Sequence, residues 1–228
     1  MQKKKIILIS VLLVIALAIL VAVVFMVNGN KNANLGENMI TGDIEVQNNE
    51  ASRNDSQNET VTGNQTEINS TGEKNKLATD DFSMDLPLGW KGVPKTLAEV
   101  TAMAANVDED IGDEAAKAIN FKSYLAVSSD LLKGKTINEY MLSVKSELQV
   151  GFPGVVFTNE NSLTINEKPA RAIEVEMIQQ GVNFKVLIVV IQENGDDVWV
   201  LSYNTVKSSW DGYKEDFSES AKSFVSKK

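Results

Sequence analysis

The sequence predicts an α+β domain, an antiparallel β-sheet with helices on both faces, carried behind one transmembrane helix. Three observations predict it. An uncharged apolar run, residues 6–27, follows Lys3, Lys4 and Lys5. Four runs of strand character, 157–165, 170–178, 184–191 and 198–204, succeed one another across short connections, the pattern of an antiparallel meander. Two segments with apolar residues at helical spacing, 136–149 and 210–224, flank the meander and would cover its faces.

The run 6–27 is apolar except for Ser10. At 1.5 Å rise per residue it would extend roughly 33 Å, matching the ~30 Å hydrocarbon core of a bilayer. The lysines keep residues 1–5 cytoplasmic by the positive-inside rule, so the C-terminal bulk is expected outside. A cleaved signal peptide has a shorter apolar region, about 7–15 residues, and ends at small residues. Here the run closes on Phe25-Met26-Val27-Asn28 and reads as a retained signal anchor at the cell membrane.

Residues 28–79 are rich in Asn, Glu, Thr, Gln, Ser and Gly, with isolated Ile40, Ile44, Val46, Val61 and Ile68. Such a segment buries too little apolar surface to offset its conformational entropy, so a disordered linker is expected. Its root-mean-square span would be on the order of 40 Å. Asn54, Asn58, Asn64 and Asn69 fit the Asn-x-Ser/Thr acceptor pattern, which this composition produces by chance. The lysine-rich start and the missing cysteines look bacterial, and the segment reads as a tether alone.

The folded domain is expected over 80–228. Phe82, Met84 and Leu86 alternate with polar residues as a strand, and Pro87-Leu88-Gly89-Trp90 forms a turn. Leu97, Val100, Met103 and Ala104 recur at helical spacing and predict a helix over 96–105. An acidic stretch leads to a second short helix near 114–119, and 124–128 reads as a strand. Thr136 and Glu139 form a capping box opening a helix with Ile137, Met141, Val144 and Leu148 on one face. Gly151, Pro153 and Gly154 stop it. Gln180-Gly181 and Asn194-Gly195 separate the last three strands, and Asn-Gly favours the type I′ turn. Ser208 and Ser209 are expected caps of a final helix that puts Trp210, Tyr213, Phe217 and Phe224 on one face. That aromatic stripe reads as core packing rather than as a ligand box.

In this order the elements resemble the PsbP/Mog1 fold family, which includes PsbP-like bacterial lipoproteins. Four features carry the resemblance: the strand and turn 82–90, the middle helix 136–149, the meander start Leu163-Thr164-Ile165-Asn166-Glu167-Lys168-Pro169-Ala170, and the closing Ser223-Phe224. Family members usually carry Gly where Glu167 or Lys168 stands. The stretch 96–119 also departs, since the family often has plain strand there. The resemblance implies an α-β-α sandwich and a non-enzymatic accessory role in larger assemblies, often at membranes.

Composition narrows the chemistry. The formal charge of −9 repels phosphate backbones, so nucleic acid is not an expected partner. The sequence holds no histidine and no cysteine, which excludes Ser-His-Asp and Cys-His catalysis, disulfides, thiolate metal sites and a lipidated-cysteine anchor. No Gly-x-Ser-x-Gly elbow, Ser-x-x-Lys motif or phosphate-binding glycine loop occurs. Carboxylates remain, and Asp108, Glu109, Asp110, Asp113 and Glu114 crowd one loop. An EF-hand needs glycine at position 6 and glutamate at 12, whereas counting from Asp108 puts Gly112 at 5 and Ile119 at 12. The loop reads as solvated. No catalytic, cofactor-binding or metal-binding residue is therefore assigned, and no cofactor is expected. The expected function is a membrane-anchored, non-catalytic extracytoplasmic domain that holds a protein partner. The alternative is an envelope hydrolase using carboxylate or Ser–Lys chemistry.

Overall fold

Side-chain alternation gives one β-sheet two apolar surfaces, and a separate layer covers each. The computed structural model describes residues 75–96 and 100–227. The expected tail, the membrane span 6–27, the four asparagine acceptor sites and linker residues 28–74 lie outside the described residues. Among the described residues no helix is long and apolar enough to cross a membrane. The elements run β1 (Lys76–Ala78), β2 (Phe82–Asp85), β3 (Lys91–Val93), β4 (Ala102–Ala105), α1 (Glu114–Ala118), β5 (Tyr124–Leu131) and α2 (Ile137–Gly151). Then come β6 (Val156–Ile165), β7 (Lys168–Gln179), β8 (Val182–Gln192), β9 (Asp197–Val206), a 3-10 turn (Lys207–Ser209), α3 (Trp210–Lys222) and β10 (Val225–Ser226).

Seven strands form an antiparallel sheet in the order β3-β4-β5-β9-β8-β7-β6, and β1-β2-β10 form a small second sheet. The expected meander is β6 to β9. In β9, Val198, Val200 and Val206 face one core while Trp199, Leu201 and Tyr203 face the other. The first core is closed by Tyr140, Met141, Val144 and Leu148 of α2 and by Ala116 of α1. The second is closed by Trp210, Phe217 and Ala221 of α3 together with Leu77, Phe82 and Met84 of the small sheet. The fold is thus α+β, mostly antiparallel sheet with few helices, and the helices lie on both faces.

The capping box of α2 forms as read: the Glu139 N–H donates to Thr136 Oγ1 and the Thr136 N–H donates to Glu139 Oε2. The helix expected over 96–105 does not. Ala102–Ala105 is a strand, with Met103 paired to Val93 on one side and to Ala126 on the other. All four of its residues are buried. A strand covered on both faces shows an unbroken apolar run, and such a run satisfies helical spacing by accident.

Three further readings need correction. Type I′ geometry occurs at Asn166-Glu167 (φ 45° and 66°) and Gln180-Gly181 (φ 51° and 81°), whereas at Asn194-Gly195 only Gly195 has positive φ. There the connection is longer, closed by the Glu193 N–H donating to Asp197 O. The hydroxyls of Ser208 and Ser209 do not cap α3. Both residues lie in the 3-10 turn, and Ser209 has helical backbone angles with no capping bond from its hydroxyl. Phe224 lies beyond α3 rather than on its face, yet it is buried, packed on Phe82 and Trp199. Part of the expected linker is folded: β1 buries Leu77, and Asn75 Nδ2 donates to Trp90 O.

Candidate functional site

The acidic loop was the densest cluster of reactive groups in the sequence. Its carboxylates diverge. Asp113 caps α1 by accepting from the Ala116 N–H at 2.9 Å. Glu114 pairs with Lys117 on the surface of α1, and Asp108 pairs with Lys91 across exposed space. Among the described residues no group of three acidic side chains is placed to hold a metal ion.

Glu109 turns inward instead. Its carboxylate accepts from the Ser123 N–H at 2.6 Å, from Ser123 Oγ at 2.9 Å and from the Tyr213 hydroxyl at 2.9 Å. Ser123 Oγ lies 2.7 Å from Thr205 Oγ1 on β9, and both residues are fully buried. Asn106 Nδ2 donates to the Tyr213 oxygen. Burial, with the Glu109 charge adding to it, pushes the Tyr213 hydroxyl up to about 12. This network ties the acidic loop to the central strands and to α3. Each donor is matched to an acceptor, so the cluster acts as a lock.

A Ser–Lys contact does occur. Lys135 Nζ donates to Ser143 Oγ at 2.6 Å. That hydroxyl already gives its proton to the Glu139 carbonyl one helical turn back, at 3.0 Å. A nucleophilic serine needs its proton directed at a base, so this pair reads as a helix-surface bond.

A concave surface lies elsewhere, where β5 ends and β8 turns into β9. A groove of about 490 Å³ is lined there by Ser129, Asp130, Leu131, Glu193, Asp197 and Trp199, among others. Its walls are fastened together. Lys133 and Gly134, both at positive φ, direct their N–H groups at Asp196, whose carboxylate accepts at 2.9 and 3.0 Å. The Leu132 N–H donates to Asp196 O at 2.7 Å. Tyr140 of α2 donates to Asp130 Oδ2 at 2.8 Å, and Lys168 pairs with Glu193 at 3.2 Å. Asp197 stays exposed at the rim. Sequence reading missed this place because its acidic residues come from the end of β5 and from the β8–β9 connection with the start of β9, segments far apart in the sequence. Lys133-Gly134 was a visible turn signal, but nothing local says that Asp196 fills the turn.

No family model and no curated protein matches the sequence. Solved structures that are similar include cyanobacterial PsbP of Synechocystis, at 17% identity over 70% of this chain and 97% of that one, with a TM-score of 0.46. They also include LpqN of Mycobacterium tuberculosis, described as involved in cell envelope biogenesis, at 11% identity over 64% of this protein and 82% of that one, with a TM-score of 0.49. A PsbP structure is therefore among the neighbours, as the resemblance implied. Both likenesses concern the fold, and neither transfers a residue's role.

Proposed function

We propose that this protein is a membrane-anchored, non-catalytic accessory domain that holds a partner protein outside the cytoplasm, with the groove beside β9 as its docking surface. The observation that carries the reading is the groove's make-up. Exposed Leu131 gives it an apolar part, and Asp197 gives its rim an exposed carboxylate beside the Lys133–Asp130 and Lys168–Glu193 pairs. Such a surface suits an extended segment bearing a basic side chain, whose aliphatic stem lies on the apolar part while its charge meets the rim. The Asp196 clamp prepares the groove in advance, which lowers the ordering cost of binding. The uncharged run 6–27 behind Lys3–Lys5 supports anchoring.

The test is chemical crosslinking in intact cells carrying the full-length protein. The wild type is expected to yield a discrete protein adduct. Asp197→Lys, a surface change at the rim, is expected to lose that adduct while melting as the wild type does. Unchanged adducts in the variant would move the docking surface elsewhere, and no protein adduct for the wild type would sink the binding reading. Protease added to cells stripped of wall and outer membrane is expected to cut between residues 28 and 74 and release the folded domain. Release only after lysis would reverse the topology.

A further inference from the structure

The groove's own loop carries Asn194-Gly195. The sequence has a second such pair, Asn28-Gly29. A glycine after asparagine leaves its backbone nitrogen unshielded. Here nothing lies within 4 Å of where a Gly195 Cβ would stand, and Asn194 is exposed. The asparagine carbonyl is also polarised. Lys168 Nζ donates to Asn194 Oδ1 at 3.2 Å while pairing with Glu193 at 3.2 Å.

We propose that Asn194 is a spontaneous deamidation site assisted by Lys168. The Gly195 nitrogen attacks Asn194 Cγ. The new N–C bond closes a five-membered succinimide, the Cγ–Nδ2 bond of the amide breaks, and ammonia leaves carrying the proton given up by Gly195. Water then opens the ring at either carbonyl, producing aspartate or isoaspartate. Negative charge gathers on Oδ1 in the tetrahedral intermediate, where the Lys168 ammonium already donates. The products matter to the groove whatever it holds. Either adds a carboxylate to its rim beside Lys168. Isoaspartate also lengthens the backbone of a loop pinned at Glu193–Asp197 and, through Asp196, at Lys133 and Gly134.

The experiment is incubation of the purified full-length protein in mildly alkaline buffer, with peptide mapping by mass spectrometry and an isoaspartate-specific methyl-transfer label. Asn28-Gly29 serves as the internal reference. Acid products are expected at residue 194. Lys168→Met and Lys168→Gln, each checked for wild-type melting, are expected to slow conversion there several-fold and leave the rate at Asn28 unchanged. Asn194→Gln is expected to abolish the label at that peptide. Persistence of the Asn194 amide while Asn28 converts would overturn the site, and an Asn194 rate indifferent to both Lys168 variants would overturn the assistance.

Discussion

Glu167 sits at φ 66° in the β6–β7 turn, a left-handed conformation that favours glycine. A side chain there costs about 1–2 kcal/mol. The resemblance had marked 167 and 168 as places where glycine is usual, and the backbone shows which of the two has the physical reason. Glu167→Gly is expected to raise stability by up to about 1 kcal/mol, the strain relief being partly offset by added freedom in the unfolded state. Glu167→Val is expected to lower it, because a branched Cβ tolerates this conformation worst. Thermal melts of the two variants against the wild type decide it, and equal melting would remove the strain argument. Phe217 is the opposite kind of residue. It is fully buried and touches the rings of Trp90, Tyr203, Trp210 and Tyr213. Phe217→Ala is expected to cost about 3–5 kcal/mol in denaturant unfolding. A cost below about 1 kcal/mol would mean that α3 does not close the second core.

Between elements, the structure turns an acidic surface loop into a joint. Glu109 holds the start of β5 through Ser123 and the face of α3 through Tyr213. Glu109→Ala leaves the buried Ser123 hydroxyl and the Tyr213 hydroxyl short of an acceptor, and a cost of about 1–3 kcal/mol is expected. Because the two residues share one bond, Glu109→Ala and Tyr213→Phe are expected to be non-additive in a double-mutant cycle. Strict additivity would show that loop and helix are not coupled. Asp108→Asn serves as the control, since its exposed pair with Lys91 is expected to contribute almost nothing.

At the scale of the whole molecule, the contribution of β1 and the acid response become testable. A protein starting at residue 75 is expected to unfold at a higher temperature than one starting at 80, because only the first retains Leu77 and the bond from Asn75 to Trp90 O. Equal melting would make β1 dispensable. For pH, a Lys145 hydrogen bond and then one from Arg171 hold Glu160 below the usual carboxylate range. Glu176 is held down first by Lys207, and Glu139 by the Thr136 N–H. A depressed folded-state value means that the unfolded state takes up the proton first as pH falls. Their contribution is therefore present above the ordinary carboxylate range and is lost on acidification through the folded values. Burial raises Glu147, which works against this trend by favouring the protonated folded form. The melting temperature is expected to fall below about pH 4, less steeply in Glu160→Gln. An unchanged slope in that variant would remove the ion pair from the account.

The sequence by itself determined what local pattern can encode. The capping box of α2, the β6–β9 meander, the apolar stripe Met141-Val144-Leu148 and the packing role of Phe217 were all legible, since each depends on neighbours a few residues away. It also excluded histidine and cysteine chemistry outright. Tertiary structure alone decided that 102–105 is a strand, because two-sided burial erases the alternation that marks one. It decided that Phe224 packs without belonging to a helix, and that β1 is part of the fold. It decided, too, that Glu109 is a lock while Asp130, Glu193 and Asp197 share a groove. Which carboxylates meet depends on strand order, β5 against β9, and strand order is a property of long-range pairing that no local window contains.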